Sequence, residues 1–140
     1  MSDTLTVTGQ CLCGAVSMST GSMSPSMGAC HCSMCRTWTG GPLLAVDCAA
    51  DLQISGAEYI RRFQSSDWAE RGFCSQCGTH LFYHLTQQDQ YIVPIGFFAV
   101  DEGVTFSHQI FIDEKPEYYS FANVTKDMTG AEVFALYASE

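Results

Sequence analysis

Seven of the eight cysteines in this chain stand two or three positions from another cysteine. They form three groups: Cys11-Leu12-Cys13, then Cys30-His31-Cys32-Ser33-Met34-Cys35, then Cys74-Ser75-Gln76-Cys77, with Cys48 apart. Thiolates at such spacing can converge on one ion, and a soft tetrahedral site made of them most often holds zinc. Any fold for this chain must bring the distant groups into register with metal sites. The grouping predicts two of them.

The 140 residues are expected to form one zinc-binding domain spanning residues 1–140, because single domains most often run to this size. A core of that size needs no disulfides. With 46% hydrophobic residues, nine Phe and six Tyr, the composition is that of a packed globular domain. The chain begins Met1-Ser2-Asp3-Thr4 with neither a basic segment nor an apolar stretch after it, so no secretory signal is expected. Its longest apolar run, Tyr91 to Val100, contains Pro94 and Gly96 and is about half the length of a membrane-spanning helix. The expectation is a cytoplasmic protein with no membrane partner. Reducing conditions there favour metal binding over disulfides.

Net charge is −9, from 15 acidic and 6 basic residues, and metal-bound thiolates would add to it. Zinc-cysteine clusters often accompany nucleic-acid binding, but phosphates demand Lys and Arg. Nucleic acid is therefore excluded as an expected partner.

Period-two patterning dominates the chain. Val16, Met18 and Thr20 alternate with Ala15, Ser17 and Ser19, as in a half-buried strand. Leu43–Val46, Tyr59–Phe63, Thr79–Leu85, Tyr91–Ile95 and Thr105–Ile112 carry the β-branched and aromatic residues of strands. Glycine, proline and serine punctuate them, and Asp101 to Gly103 is a candidate hairpin turn. Helix is expected only as a turn after Cys32 and over Ala131–Ala138, where Val133, Phe134 and Tyr137 share a side. The fold class is all-β, with short antiparallel strands organised around the cysteine sites.

Cys74-Ser75-Gln76-Cys77 and Cys11-Leu12-Cys13 are each followed directly by glycine, Gly78 and Gly14. Such turns aim backbone N–H groups at the sulfurs, and glycine tolerates the left-handed backbone involved. On an extended strand Cys11 and Cys13 would face the same side. The two pairs together would make a closed structural zinc site. The competing reading is buried free thiols or redox pairs, but a thioredoxin-type CxxC opens a helix in a βαβ setting. Here His80-Leu81-Phe82-Tyr83-His84 follows as an extended segment.

Cys30, Cys32 and Cys35 differ, being three ligands in one short loop. Three protein ligands with one open position is the arrangement of a catalytic zinc. A second closed site, completed by Cys48, His31 or a distant histidine, stands equally open on spacing alone. Cys48 reads as a small buried apolar residue. His80, His84 and His108 lie in strand-like aromatic segments, where hydrogen-bonded structural roles are commoner. Trp38 and Trp68 read as packing residues. Arg36, next to Cys35, could steady the thiolates or hold a substrate carboxylate.

These residues together resemble the glutathione-dependent formaldehyde-activating enzyme family, which also includes centromere protein V. The likeness rests on Cys11 to Gly14, on the Cys-His-Cys-x-x-Cys-Arg-x-x-x-Gly block from Cys30 to Gly40, and on Arg71-Gly72-Phe73-Cys74-Ser75-Gln76-Cys77-Gly78. It continues more weakly through Val93–Gly96 and His108–Tyr119, covering roughly residues 5–120. Similar members often carry Trp-Tyr where this chain has Tyr118-Tyr119.

The resemblance implies a β-tent fold with two zincs. Cys11, Cys13, Cys74 and Cys77 would hold a structural ion. Cys30, Cys32 and Cys35 would hold a second, catalytic or substrate-binding ion, with an open position for the thiol of glutathione or a similar small thiol. Arg36 would offset the thiolate charge. The implied activity is a carbon–sulfur lyase reaction linking glutathione and formaldehyde through S-hydroxymethylglutathione. The alternative is a non-catalytic zinc module that binds a thiol or a protein partner, or a sensor that loses zinc on oxidation. The thiol, the electrophile and the oligomeric state are not written in the sequence.

Overall fold

A computed structural model describes residues 3–138 of the chain. It is β-rich, with two short α-helices among the described residues. The chain divides into two compact units, one built from residues up to Pro25 together with Val46–Val104, the other from Ser26–Ala45 with residues from Thr105 onward.

The first unit is antiparallel throughout its named strand pairs. Strands β1 (Leu5–Gln10), β2 (Ser17–Met23) and β5 (Gln53–Ser55) form a sheet in the order β1-β2-β5. A meander follows from β6 (Ile60–Gln64) through β7 (Ala69–Cys74) and β8 (His80–Leu85) to β9 (Gln90–Pro94). The alternation expected around β2 is real: Val16, Met18 and Thr20 are buried. Met18, Met23, Leu81, Phe82 and Val93 are each at most 1% exposed, and burying such a side chain contributes about 1.5–3 kcal/mol. Phe82 packs edge-on against Tyr91 at 5.2 Å, under the Arg62 guanidinium at 4.9 Å.

The second unit mixes directions. Strand β3 (Ser26–Cys30) pairs antiparallel with β4 (Leu43–Asp47), but β10 (Thr105–Ile110) runs parallel to both β3 and β11 (Lys126–Met128). Parallel neighbours need long connections, and here most of the chain lies between β3 and β10. Because β10 pairs with β3 and β11, Asp101 to Gly103 closes no hairpin; Asp101 and Glu102 are exposed, with Gly103 at φ +85°.

Helix α1 (Ser33–Thr39) is the turn expected after Cys32, extended by a left-handed cap at Gly40 whose N–H bonds to Arg36 O. Helix α2 (Gly130–Ala138) starts on a reciprocal cap: Glu132 N donates to Thr129 Oγ1 at 3.2 Å and Thr129 N to Glu132 Oε1 at 2.9 Å. Of the three residues expected on its apolar side, Val133 is buried but Phe134 and Tyr137 are largely exposed.

Candidate metal centres

The first cysteine group is assembled from two hairpin loops. Cys11 to Gly14 lie between β1 and β2, and Cys74 to Gly78 between β7 and β8. Both loops close alike: Cys11 N donates to Val16 O and Cys74 N to Thr79 O, each at 2.9 Å. Gly14 N then reaches Cys11 O at 2.9 Å and Gly78 N reaches Cys74 O at 2.8 Å. Gly14 and Gly78 share φ +79°, a region that a Cβ disfavours. The strand geometry expected for Cys11 and Cys13 does not hold. A turn, not a pleat, brings the pair together, with Cys11 buried and Cys13 exposed.

All four sulfurs lie within 4.8 Å of one another. Cys11 Sγ is 3.6 Å from Cys13 Sγ, which is 3.7 Å from Cys74 Sγ. A tetrahedral zinc with bonds of about 2.3 Å separates its sulfurs by about 3.8 Å, and these two edges already have about that length. Backbone N–H groups of Val16 and Gln76 point at Cys11 Sγ and Cys74 Sγ at 3.3 and 3.4 Å. None of the eight cysteines is joined in a disulfide.

Crowding makes these thiols ionise unequally. The Thr79 hydroxyl and backbone bring the Cys77 pKa down to about 5. An Ala15 backbone hydrogen bond works to lower Cys13, but partial desolvation of its sulfur and the neighbouring thiols prevail and push it up to about 12. Four thiolates cannot coexist there without a cation. The donor set, its edge lengths and its aimed N–H groups therefore fit a zinc ion held by Cys11, Cys13, Cys74 and Cys77.

Cys30, Cys32 and Cys35 form the second group, again with sulfurs within 4.8 Å of one another. Cys30 ends β3, Cys32 is the N-cap of α1, and Cys35 sits buried one turn later. Cys35 N donates to Cys32 Sγ at 3.4 Å, and Ser33 N donates to Glu114 Oε1 at 3.0 Å. Hydrogen bonding to Cys32 and Cys35, together with burial, pushes the Cys30 pKa far up. This set also fits a cation, with three thiol donors. Among the described residues no further Cys, His, Asp or Glu joins either group, so the second stays at three.

The candidates for a fourth ligand have other occupations. Cys48 is fully buried in the first unit, and burial with Asp47 and Asp51 nearby raises its pKa to about 12. His84 lies between Glu70 Oε2 at 3.0 Å and Asp89 Oδ1 at 2.8 Å, stacked on Tyr91 at 4.2 Å. His108 packs against Gly28, where a Cβ would fall 2.2 Å from its Nε2. Arg36 turns its Nε to His31 O at 2.9 Å, so it braces the backbone between Cys30 and Cys32.

His31 is a possible ligand on spacing alone, but both of its nitrogens are taken. Nε2 lies 2.7 Å from Gln109 Oε1 and Nδ1 lies 2.8 Å from Tyr119 Oη. Its ring stacks on Tyr119 at 5.5 Å. His31 has no exposed surface, and burial lowers its pKa. Lys115 Nζ ties the segment by bonding to Pro116 O and Tyr119 O. Gln109, Glu114 and Tyr119 lie in the His108–Tyr119 segment of weaker likeness, but no spacing or residue pattern marks them individually as site residues.

No helix among the described residues is long and apolar enough to cross a membrane. The family model of the glutathione-dependent formaldehyde-activating enzyme matches residues 6–114. An uncharacterized lyase of Schizosaccharomyces pombe is 37% identical over 126 residues, which are 89% of this chain and 92% of that protein. A Halomonas elongata protein, provisionally named a glutathione-dependent formaldehyde-activating enzyme, is 27% identical over 144 residues, covering 94% and 88%. A crystal structure of a Rhodobacter sphaeroides protein is similar in fold, with TM-score 0.56 and 24% identity over 68% of this chain and 90% of that one. With cysteine blocks, fold and family model in agreement, the chain belongs to the glutathione-dependent formaldehyde-activating enzyme family.

Proposed function

We propose that the protein is a zinc-dependent carbon–sulfur lyase acting on a glutathione-like thiol and its aldehyde adduct. The observation that carries this reading is the unequal division of the cysteines, four in one group and three in another that no fourth Cys, His, Asp or Glu joins among the described residues. Family membership supports glutathione as the thiol and formaldehyde as the aldehyde. In this reading Cys11, Cys13, Cys74 and Cys77 hold a structural zinc, while Cys30, Cys32 and Cys35 hold a second whose remaining position receives the thiol. When bound there, zinc supplies Lewis acidity, lowering the pKa of a thiol and polarising a carbonyl.

The chain's own groups orient and enclose. Cys32 caps α1 with its sulfur, which ties the helix start to the Cys32 and Cys35 positions. Arg36 pins the His31 carbonyl and carries positive charge beside an anionic cluster. Holding thiol and aldehyde side by side removes much of the orientational cost of addition. In the condensing direction the thiol sulfur bonds to the carbonyl carbon and the thiol proton ends on the carbonyl oxygen. The lyase direction reverses both, and nothing is oxidised or reduced.

The test is Cys32→Ser, assayed for interconversion of glutathione plus formaldehyde and S-hydroxymethylglutathione. The expected result is loss of turnover with an unchanged circular dichroism spectrum. Unchanged turnover would overturn the reading in favour of a binding module.

A further inference from the structure

Glu114 is carried to the second cysteine group by a closely pinned turn. Phe111 holds a left-handed backbone at φ +54°, a conformation uncommon for a bulky residue. Its ring lies edge-on to Phe134 at 5.7 Å and against Gly130, where an added Cβ would fall 2.8 Å from it. A 3₁₀ turn over Ile112–Glu114 follows, closed by Glu114 N to Phe111 O at 3.0 Å and Lys115 N to Ile112 O at 3.2 Å. The two carboxylates of this turn go to two helix starts. Asp113 Oδ1 accepts the Gly130 N–H at 2.9 Å, and Glu114 Oε1 accepts the Ser33 N–H at 3.0 Å. Ser33 N belongs to the peptide bond that follows Cys32. By that route Glu114 Oε1 and Cys32 Sγ stand at most about 8 Å apart.

A carboxylate is electrostatically unfavourable at this place. Three thiolates around a divalent cation leave a net negative group, in a chain that carries −9 overall. Capping Ser33 needs only an acceptor, which glutamine or serine would supply without charge. The cations nearby in the chain are turned elsewhere: Arg36 Nε donates to His31 O, and Lys115 Nζ donates to Pro116 O and Tyr119 O. No ion pair among the described residues includes Glu114. Its carboxylate is exposed and, with Ser33 N on one oxygen, has capacity for a further donor. A cation brought by the ligand would complete it.

We infer that Glu114 receives the ammonium group of the thiol, so that the site selects γ-glutamyl thiols with a free α-amino group over thiols that lack one. The inference rests on the proposed thiol reading and names the substrate feature that decides among thiols. The ammonium of glutathione stands up to about 9 Å from its sulfur, so a thiol seated among Cys30, Cys32 and Cys35 can bring it to the carboxylate. A partly exposed charge pair of this kind is worth about 3–10-fold in binding at low salt. It weakens as salt rises.

Calorimetric titration of the zinc-loaded protein tests it without turnover, using glutathione and its desamino analogue, glutaryl-cysteinylglycine, at low and high salt. The wild type should bind glutathione about 3–10-fold more tightly than the analogue, with the difference shrinking as salt rises. Glu114→Gln keeps an oxygen for the Ser33 N–H and should lose that preference through weaker binding of glutathione. The analogue is the more negative ligand, so Glu117→Gln is the control for net charge. It removes another exposed carboxylate from the same segment and should leave the preference intact. Equal affinities in the wild type, a preference that survives Glu114→Gln, or one lost equally in Glu117→Gln overturns the inference and leaves the thiol reading standing. A wild type that binds neither ligand overturns the thiol reading, and this inference with it.

Discussion

Thr79 grips Cys77 through its hydroxyl, 3.1 Å from the sulfur, and the same oxygen accepts the Leu12 N–H at 3.2 Å. One side chain thus fastens both cysteine loops of the first unit. Thr79→Val keeps the shape and removes both bonds. Partners in the second layer of a metal site commonly matter 10–100-fold for affinity. We expect zinc transfer to a chromophoric chelator to quicken about 10-fold in Thr79→Val and to stay near wild type in Thr79→Ser. Equal rates in all three proteins would remove Thr79 from the metal site.

The two cysteine groups should differ in what they hold together. Cys74 is fully buried at the junction of β7 and its loop, so Cys74→Ser should lower Tm by about 10 °C or more. Cys30→Ser should lose one zinc per chain with a smaller fall. Calorimetry with zinc analysis on the same samples reads both, and equal falls would contradict the division into structural and functional sites.

Much of this was legible because cysteine spacing and trailing glycines are local signals. Gly14 and Gly78 announce the same left-handed turn in both loops, and the period of two placed Val16, Met18 and Thr20 inside. What stayed hidden was non-local. Parallel pairing of β10 with β3 joins segments far apart in the chain, and no short pattern encodes it. His31, Gln109 and Tyr119 meet only through that pairing and the following segment. The Nε contact of Arg36 with a backbone carbonyl depends on how the segment after Cys30 folds, which spacing does not specify.

Asp51 gathers Gly21 N and Ser22 Oγ at 3.0 Å, Gln53 Nε2 at 3.2 Å and Thr20 Oγ1 at 3.3 Å. The Gly21 backbone bond, then those from Gln53 and Ser22, lower its pKa. A carboxyl whose pKa is lower folded than unfolded stabilises the fold above its ordinary value of about 3.9, and that stability is lost as pH falls through the folded pKa. The difference in Tm between wild type and Asp51→Asn should therefore be greatest near pH 6 and shrink toward pH 3. A constant difference would remove the carboxylate from the explanation.

Gly28 leaves room for the His108 ring, with 2.2 Å between an added Cβ and Nε2, and Ser107 Oγ holds the ring by Nδ1 at 2.8 Å. Gly28→Ala should cost about 1–3 kcal/mol of stability through overpacking. In a His108→Ala background the same change should cost much less, as a double-mutant cycle in urea would read. Additive costs would mean that the ring is not what the alanine meets.

The central claim is that Cys30, Cys32 and Cys35 leave a position for a thiol while Cys11, Cys13, Cys74 and Cys77 do not. Cadmium-113 NMR of the cadmium-substituted protein tests it directly, with glutathione added in steps. The expected spectrum has two signals, of which one, already in the four-thiolate range, stays fixed. The other should move into that range as glutathione binds, and it should be the one missing from Cys32→Ser. Two signals in the four-thiolate range at the start, both indifferent to glutathione, would contradict the claim.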